Sequence, residues 1–180
     1  MINQKTIISF LKSNIEPFGD MYNKEAYRAA VHLIDGTYMP CVIFRNKKNI
    51  SKLLLDRFTD LQDRNNFIDN NIVPSLFDGA CTLQFVSVEK IEISKFAIPD
   101  KLRNILLSTG ETGMSYTSFV GQMDDGQEFT FASQSDFAFL QMPAGYSAQR
   151  LTNVIPHKKT TGEVYLDMPY FHCFIDFEKS

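Results

Sequence analysis

The chain has no tryptophan, and its 180 residues include only three cysteines and three histidines. Each shortage removes a class of function. Cys41, Cys81 and Cys173 are odd in number, far apart and without a Cys-x-x-Cys pair, so the spacing encodes neither a disulfide framework nor a thiolate metal site. His32, His157 and His172 are separated by long intervals, and none belongs to a His-x-x-x-His pattern. A metal site needs its ligands clustered, so no metal and no cofactor are expected. No apolar run approaches about 18 residues, so no membrane-spanning helix is expected. The opening stretch "MINQKTIISFLKSNIEPFGD" lacks the apolar core and small-residue cleavage site of an export signal. Reduced thiols and a missing signal together predict a cytoplasmic protein. Excess positive charge is absent too. A net charge of -3 argues against nucleic-acid binding, which rests on clustered Lys and Arg neutralising phosphates.

What is plentiful is phenylalanine, with 16 residues beside 7 tyrosines. Phenylalanine fills an interior without a polar atom to satisfy, so this richness predicts a well-filled core. The length suits a single domain spanning residues 1–180. Ile7, Ile8, Leu11 and Ile15 recur at helical spacing over residues 3–15, with Asn3 placed to cap. "AYRAAVHLIDGTYMPCVIFR" then sets two β-type runs around Asp35-Gly36, a strong hairpin signal. A two-residue turn would pair Leu33 with Tyr38, Val31 with Pro40, Ala29 with Val42 and Tyr27 with Phe44, making one face apolar. Pro40 cannot donate to a ladder, so its strand is expected at an edge or with a bulge.

A second helix is predicted from Ile50 through Leu54 and Phe58 to Leu61, followed by an Asn-rich connection broken by Pro74 and Gly79. A strand over 81–94, bulged where its parity changes, precedes a third helix that starts at Pro99 and stops at Gly110. The second Asp-Gly hairpin turns at Asp125-Gly126. A two-residue turn pairs Met123 with Glu128 and gathers Met114, Tyr116, Val120, Phe129 and Phe131 on one face. A three-residue loop with a Gly bulge would shift those pairs. One short strand at 137–142, a turn at Pro143–Gly145, a helical turn from Ser147 and two final strands complete the reading. Grouped helices and tightly linked strands predict an α+β fold, with a mainly antiparallel sheet packed against about three helices. Helix followed by Asp-Gly hairpin occurs at 3–45 and again at 99–133, the pattern a duplicated half would leave.

Few residues suggest catalysis. His172 and Cys173 are neighbours on a strand and face opposite ways. His32 and Cys41 share a face, but "MPCVIF" reads as core, whereas a reactive thiol needs a polar setting. No catalytic residue is therefore expected. "STGETG" at 108–113 lacks the Gly-Lys-Ser/Thr ending of a phosphate loop, and helix capping explains its first glycine.

The run "GMSYTSFVGQMDDGQEF" at 113–129 resembles a pattern in small uncharacterised bacterial proteins: a Gly-Met-x-Tyr strand, an Asp-Gly turn and a second strand. The resemblance carries no activity with it and implies a bacterial or phage origin.

Three readings follow. The leading one is a non-enzymatic interaction protein of the immunity or inhibitor type, touching a protein partner through Tyr38, Tyr116, Asp124, Asp125, Tyr146 and Arg150. Tyrosine and arginine on ribbon tips and loops are efficient contact residues. The second is a small ligand-binding domain or enzyme, with His32 and His172 lending polar groups to a pocket between sheet and helices. The third is a self-associating module that forms a homo-oligomer through an edge strand near Pro40.

Overall fold

The computed structural model describes residues 2–19, 25–49, 81–113, 115–134 and 136–178. The helix expected between Ile50 and Leu61, the Asn-rich connection after it and Met114 lie outside the described residues. Contacts divide the chain into two compact units, residues 1–93 with 170–180 and residues 94–169. The fold is α+β with two mixed sheets.

In the first unit, helix α1 (Gln4–Asn14) starts where the Asn3 side chain accepts the Thr6 amide at 2.9 Å. That contact satisfies one of the amides left without partners at a helix start. Its buried face, Ile7, Ile8 and Leu11, packs on a five-stranded sheet ordered β3 (Thr82–Leu83), β9 (Phe171–Ile175), β2 (Tyr38–Asn46), β1 (Ala26–Leu33), β4 (Val88–Ile93). Tyr27, Ala29, Val31, Val42 and Phe44 supply the sheet side of that core. On the opposite sheet face Arg28, Arg45 and His172 are buried.

The β1–β2 register follows expectation away from the turn, with Tyr27 opposite Phe44 and Ala29 opposite Val42. Nearer the turn it differs by one place, because His32 faces Tyr38 and Val31 faces Met39. The reason lies in the loop, where the Leu33 amide donates to the Thr37 carbonyl and only Gly36 has a positive φ, at 85°. Asp35 stays out of the left-handed region, so the loop has three residues with a Gly bulge. An irregularity between Ala29 and Val31 restores the register. β2 lies inside the sheet between β9 and β1, so Pro40 is not on an edge strand; it falls in a bulge of β2, where Pro40 and Cys41 lie against Ala30 alone. β9 runs parallel to both β2 and β3, which adds parallel pairing to a sheet expected to be mainly antiparallel. Strands joined by distant crossovers, unlike hairpin partners, are free to run this way.

In the second unit, helix α2 (Asp100–Thr109) follows Pro99, ends at Gly110 (φ 74°) and buries Leu102 and Leu106. Its sheet is ordered β7 (Leu151–Pro156), β5 (Thr117–Met123), β6 (Glu128–Ser133), β8 (Val164–Tyr165). Phe119 stacks on Phe131 with centroids 5.4 Å apart and meets Phe137 edge-on at 6.1 Å. Between Phe131 and Leu151, Gly121 is required by space, since a Cβ there would lie 2.6 Å from Leu151 Cδ2 and 2.7 Å from a Phe131 ring carbon.

Gln122 pairs with Glu128 and Phe119 with Phe131, the register of a three-residue loop with a Gly bulge. Phe119 and Met123 therefore join the core alongside Phe131, and Val120 points to the other face. The strand expected at 137–142 is reduced to single bridges, Ala97 with Phe139 and Leu140 with Asp167. The strand expected over 81–94 is interrupted by a 3-10 turn at Phe85–Ser87, not a bulge.

The two units share a plan. In each, a helix leads into a hairpin whose first strand is flanked by an antiparallel strand entered from a 3-10 turn, and whose second strand has a parallel neighbour. The match extends to the tips. The Ile34 amide donates to the Ser87 carbonyl at 3.0 Å in the first unit, and the Asp124 amide to the Arg150 carbonyl at 2.9 Å in the second. Both acceptors are the last residue of the 3-10 turn (Phe85–Ser87 and Ala148–Arg150). Even the register irregularity of the flanking strand recurs, between His32 and Leu33 and between Gln122 and Met123.

Candidate functional site

The second hairpin turns at Asp124, Asp125 and Gly126, with Gly126 at φ 84°. The Asp125 carboxylate accepts the Gln127 amide at 3.1 Å, which locks the turn from within. A turn at Pro143, closed by the Tyr146 amide donating to the Pro143 carbonyl, and the 3-10 turn before β7 bring Tyr146 and Arg150 to the same place. Arg150 donates from Nε to Asp124 at 2.8 Å, and its Nη2 lies 2.7 Å from Asp124 and 3.2 Å from Asp125. The Tyr146 hydroxyl donates to Asp125 at 2.8 Å, and the Arg150 guanidinium lies over the Tyr146 ring at 4.6 Å. Phe129 also meets that ring edge-on, with centroids 5.0 Å apart.

Four of the six residues expected to contact a partner thus converge on one tip. The charges are exposed, with side-chain exposures of 36% for Arg150, 50% for Asp124 and 40% for Asp125. The Gln127 amide first, then the Tyr146 hydroxyl, hold the Asp125 carboxyl below the ordinary range. The bond to Asp125 in turn raises the Tyr146 phenol. The arrangement is a rigid pairing of an aromatic ring with a guanidinium, and two carboxylates against one cation leave it net negative.

The other expected residues lie elsewhere. Tyr38 and His32 meet on the first hairpin, ring centroids 4.8 Å apart, with His32 Nε2 3.4 Å from Glu92, which also takes Lys90 at 2.9 Å. Burial first, then the Glu92 carboxylate, push the Tyr38 phenol upward. His172 is buried on β9, where its Nδ1 accepts from Arg45 Nε at 3.2 Å between the rings of Tyr170 and Phe174. It is level with Ile43 and so with Arg28, two strands across from His32 and four residues further along. That places the histidines roughly 15 Å apart at ordinary strand spacings. The two do not form one pocket. None of the three cysteines is in a disulfide, and Cys173 is fully buried, which pushes its thiol well above the ordinary range. Among the described residues no group of three His, Cys, Asp or Glu side chains is placed to hold a metal. Nor is any helix among them long and apolar enough to cross a membrane.

Tyr116 belongs to a second feature at the far end of the same hairpin. A cleft of about 170 Å³ lies between the end of α2 and the strand ends, and Leu106, Glu111, Tyr116, Thr117, Gln134 and Phe137 are among its lining residues. Two lining residues, Ser115 (φ 64°) and Phe137 (φ 56°), have left-handed backbones. Each such residue costs on the order of 1–3 kcal/mol, and strain of this kind gathers at functional places. Sequence reasoning passed this cleft by. "STGETG" was its visible signal, since Gly110 and Glu111 line it, but Thr117, Gln134 and Phe137 arrive from distant positions that no local pattern links.

In comparisons with known proteins, no family model matches the chain, and no curated protein or solved structure matches it.

Proposed function

We propose that the protein is a non-enzymatic interaction module, of the kind that immunity and inhibitor proteins represent, and that Asp124, Asp125, Tyr146 and Arg150 form its contact surface. One observation carries this reading. The first unit builds the same three-residue loop and donates the same hydrogen bond to its 3-10 turn, yet Ile34 and Ser87 stand where the second unit has Asp124 and Arg150. Folding therefore does not demand the charged cluster. An exposed, prearranged Tyr-Arg pair is the sort of anchor that dominates protein interfaces. Holding those side chains in place beforehand lowers the ordering cost of association. The surplus of carboxylate favours a partner that presents basic groups. The matching plans of the two units support a second element of the reading, that the chain is made of duplicated helix-hairpin halves.

The test retains proteins from a lysate of the source cells on the immobilised chain and compares them with those retained by the Tyr146→Ala/Arg150→Ala double variant. A partner captured by the native chain is then titrated against both by calorimetry. The expected outcome is one partner whose affinity falls on the order of thirtyfold or more in the variant and weakens with added salt. Equal affinity for both proteins, with circular dichroism showing an intact fold, removes the tip from the interface.

A further inference from the structure

The cleft at the end of α2 has a chemistry of its own. Its apolar lining comes from the buried Leu106 and Phe137 and the exposed Leu107. Its polar lining includes the Glu111 carboxylate, the hydroxyls of Ser115 and of the buried Thr117, and the Gln134 amide. Among the described residues that line it, none is Lys, Arg or His. The helix end adds to this bias. The last turn of α2 contains no basic side chain, so the partial negative charge of a helix C-terminus faces the region without a cation of its own. Glu111 follows directly, and its Oε2 accepts the Ser115 amide at 3.1 Å, which holds the carboxylate at the rim. Thr117 Oγ1 donates to the Gly110 carbonyl at 3.2 Å and fixes the opposite wall. A single water takes up roughly 10–15 Å³ of such space. The 170 Å³ present therefore admits a small molecule or a side chain, not only solvent.

We propose that this cleft binds an alkylammonium group, its aliphatic body on Leu106, Leu107 and Phe137 and its charged nitrogen at Glu111 and the end of α2. Phosphate and carboxylate ligands have no cation to meet there, and a neutral alcohol could donate a hydrogen bond to the carboxylate but would leave its charge unpaired. Two sources share this chemistry, a free aliphatic amine and a lysine side chain of another chain. The site lies at the opposite end of the hairpin from the Asp124–Arg150 tip and does not depend on it.

The experiment titrates the full chain, labelled with nitrogen-15, with n-butylammonium chloride, sodium butyrate and n-butanol at matched ionic strength, following backbone amide shifts. A parallel arm uses Nα-acetyl-lysine-N-methylamide. The expected result is a saturable shift of the Glu111, Ser115 and Thr117 amides with n-butylammonium alone among the first three, at roughly millimolar concentration, as suits so few atoms. Tighter binding of the lysine derivative assigns the site to a partner's lysine, and weaker binding assigns it to a free amine. Glu111→Gln keeps an acceptor for the Ser115 amide while removing the charge, so it should weaken n-butylammonium about tenfold with other amide shifts unchanged. Butanol matching n-butylammonium, Glu111→Gln binding as tightly as the native chain, or no saturable shift at all, each overturns the proposal.

Discussion

Replacing Gly121 by alanine tests the packing argument for the second unit most directly. Strand residues other than glycine ordinarily gain from a side chain, and alanine also reduces the freedom of the unfolded chain, an effect worth about 0.4–1 kcal/mol in its favour. At Gly121 that gain meets an obstacle, because the new methyl carbon would sit 2.6 Å from Leu151 Cδ2 and 2.7 Å from the Phe131 ring. Both neighbours are buried, Phe131 wholly, and Phe131 is stacked on Phe119, so neither yields without disturbing the next. Overpacking of this kind costs about 1–3 kcal/mol. The net loss should be about 1–2 kcal/mol. Urea unfolding followed by tyrosine emission reads it without tryptophan interference, since the chain has none. The midpoint should fall with the slope unchanged. In a Leu151→Ala background the same substitution should cost less, with a coupling of at least about 0.5 kcal/mol. Gly121→Ala that is neutral or stabilising would refute the claim that Phe131 and Leu151 leave room for glycine alone.

Three further outcomes are expected. Asn3→Ala removes the side-chain cap of α1 and should cost about 1 kcal/mol, with Asn3→Ser recovering most of it in thermal unfolding. Asp125 is held below its ordinary value of 3.8, so its contribution is present above that pH and is lost as pH falls through the lower folded-state value. Its carboxyl carbon-13 resonance should titrate below 3.8, and in Tyr146→Phe that midpoint should move back up. Cys173 is fully buried with its thiol raised by burial, whereas Cys81 is half-buried, so a thiol reagent at neutral pH should label Cys81 first and reach Cys173 only on unfolding.

The sequence carries local features well and pairings less well, for physical reasons. α1 was legible because its cap and apolar stripe act within a few residues, and α2 because proline and glycine bracket it. The turn positions were legible for the same reason. Their register was not, because Asp-Gly serves two loop types. The choice falls to the three-residue form, which keeps aspartate out of the left-handed region and puts only Gly36 and Gly126 there. That single added residue moved Val120 off the expected face and placed Phe119 in the core. Two final strands were legible at β8 and β9, but their parallel pairing was hidden because their partners lie across long stretches of chain, with no turn to announce them. At the tip, the residue types were readable as contact groups. Their convergence was not, because it depends on the Pro143 turn folding Tyr146 and Arg150 back onto Asp124 and Asp125.

The two hairpin tips separate what the fold requires from what it leaves open. Both need glycine at the left-handed position, an aspartate whose side chain takes the amide two residues on, and a carbonyl from the 3-10 turn to meet the first loop amide. Those are backbone demands, and both units satisfy them with the same residue types or with the main chain alone. The first loop side chain and the last 3-10 side chain carry no such demand. One unit places an isoleucine there, 57% exposed, beside a serine, and the other an ion pair braced by a tyrosine. Exposed apolar surface and a prearranged charge network are opposite solutions for water, and a backbone that tolerates both selects neither. The backbone of neither unit selects between the two solutions, and that is the difference on which the proposed contact surface at the second tip rests.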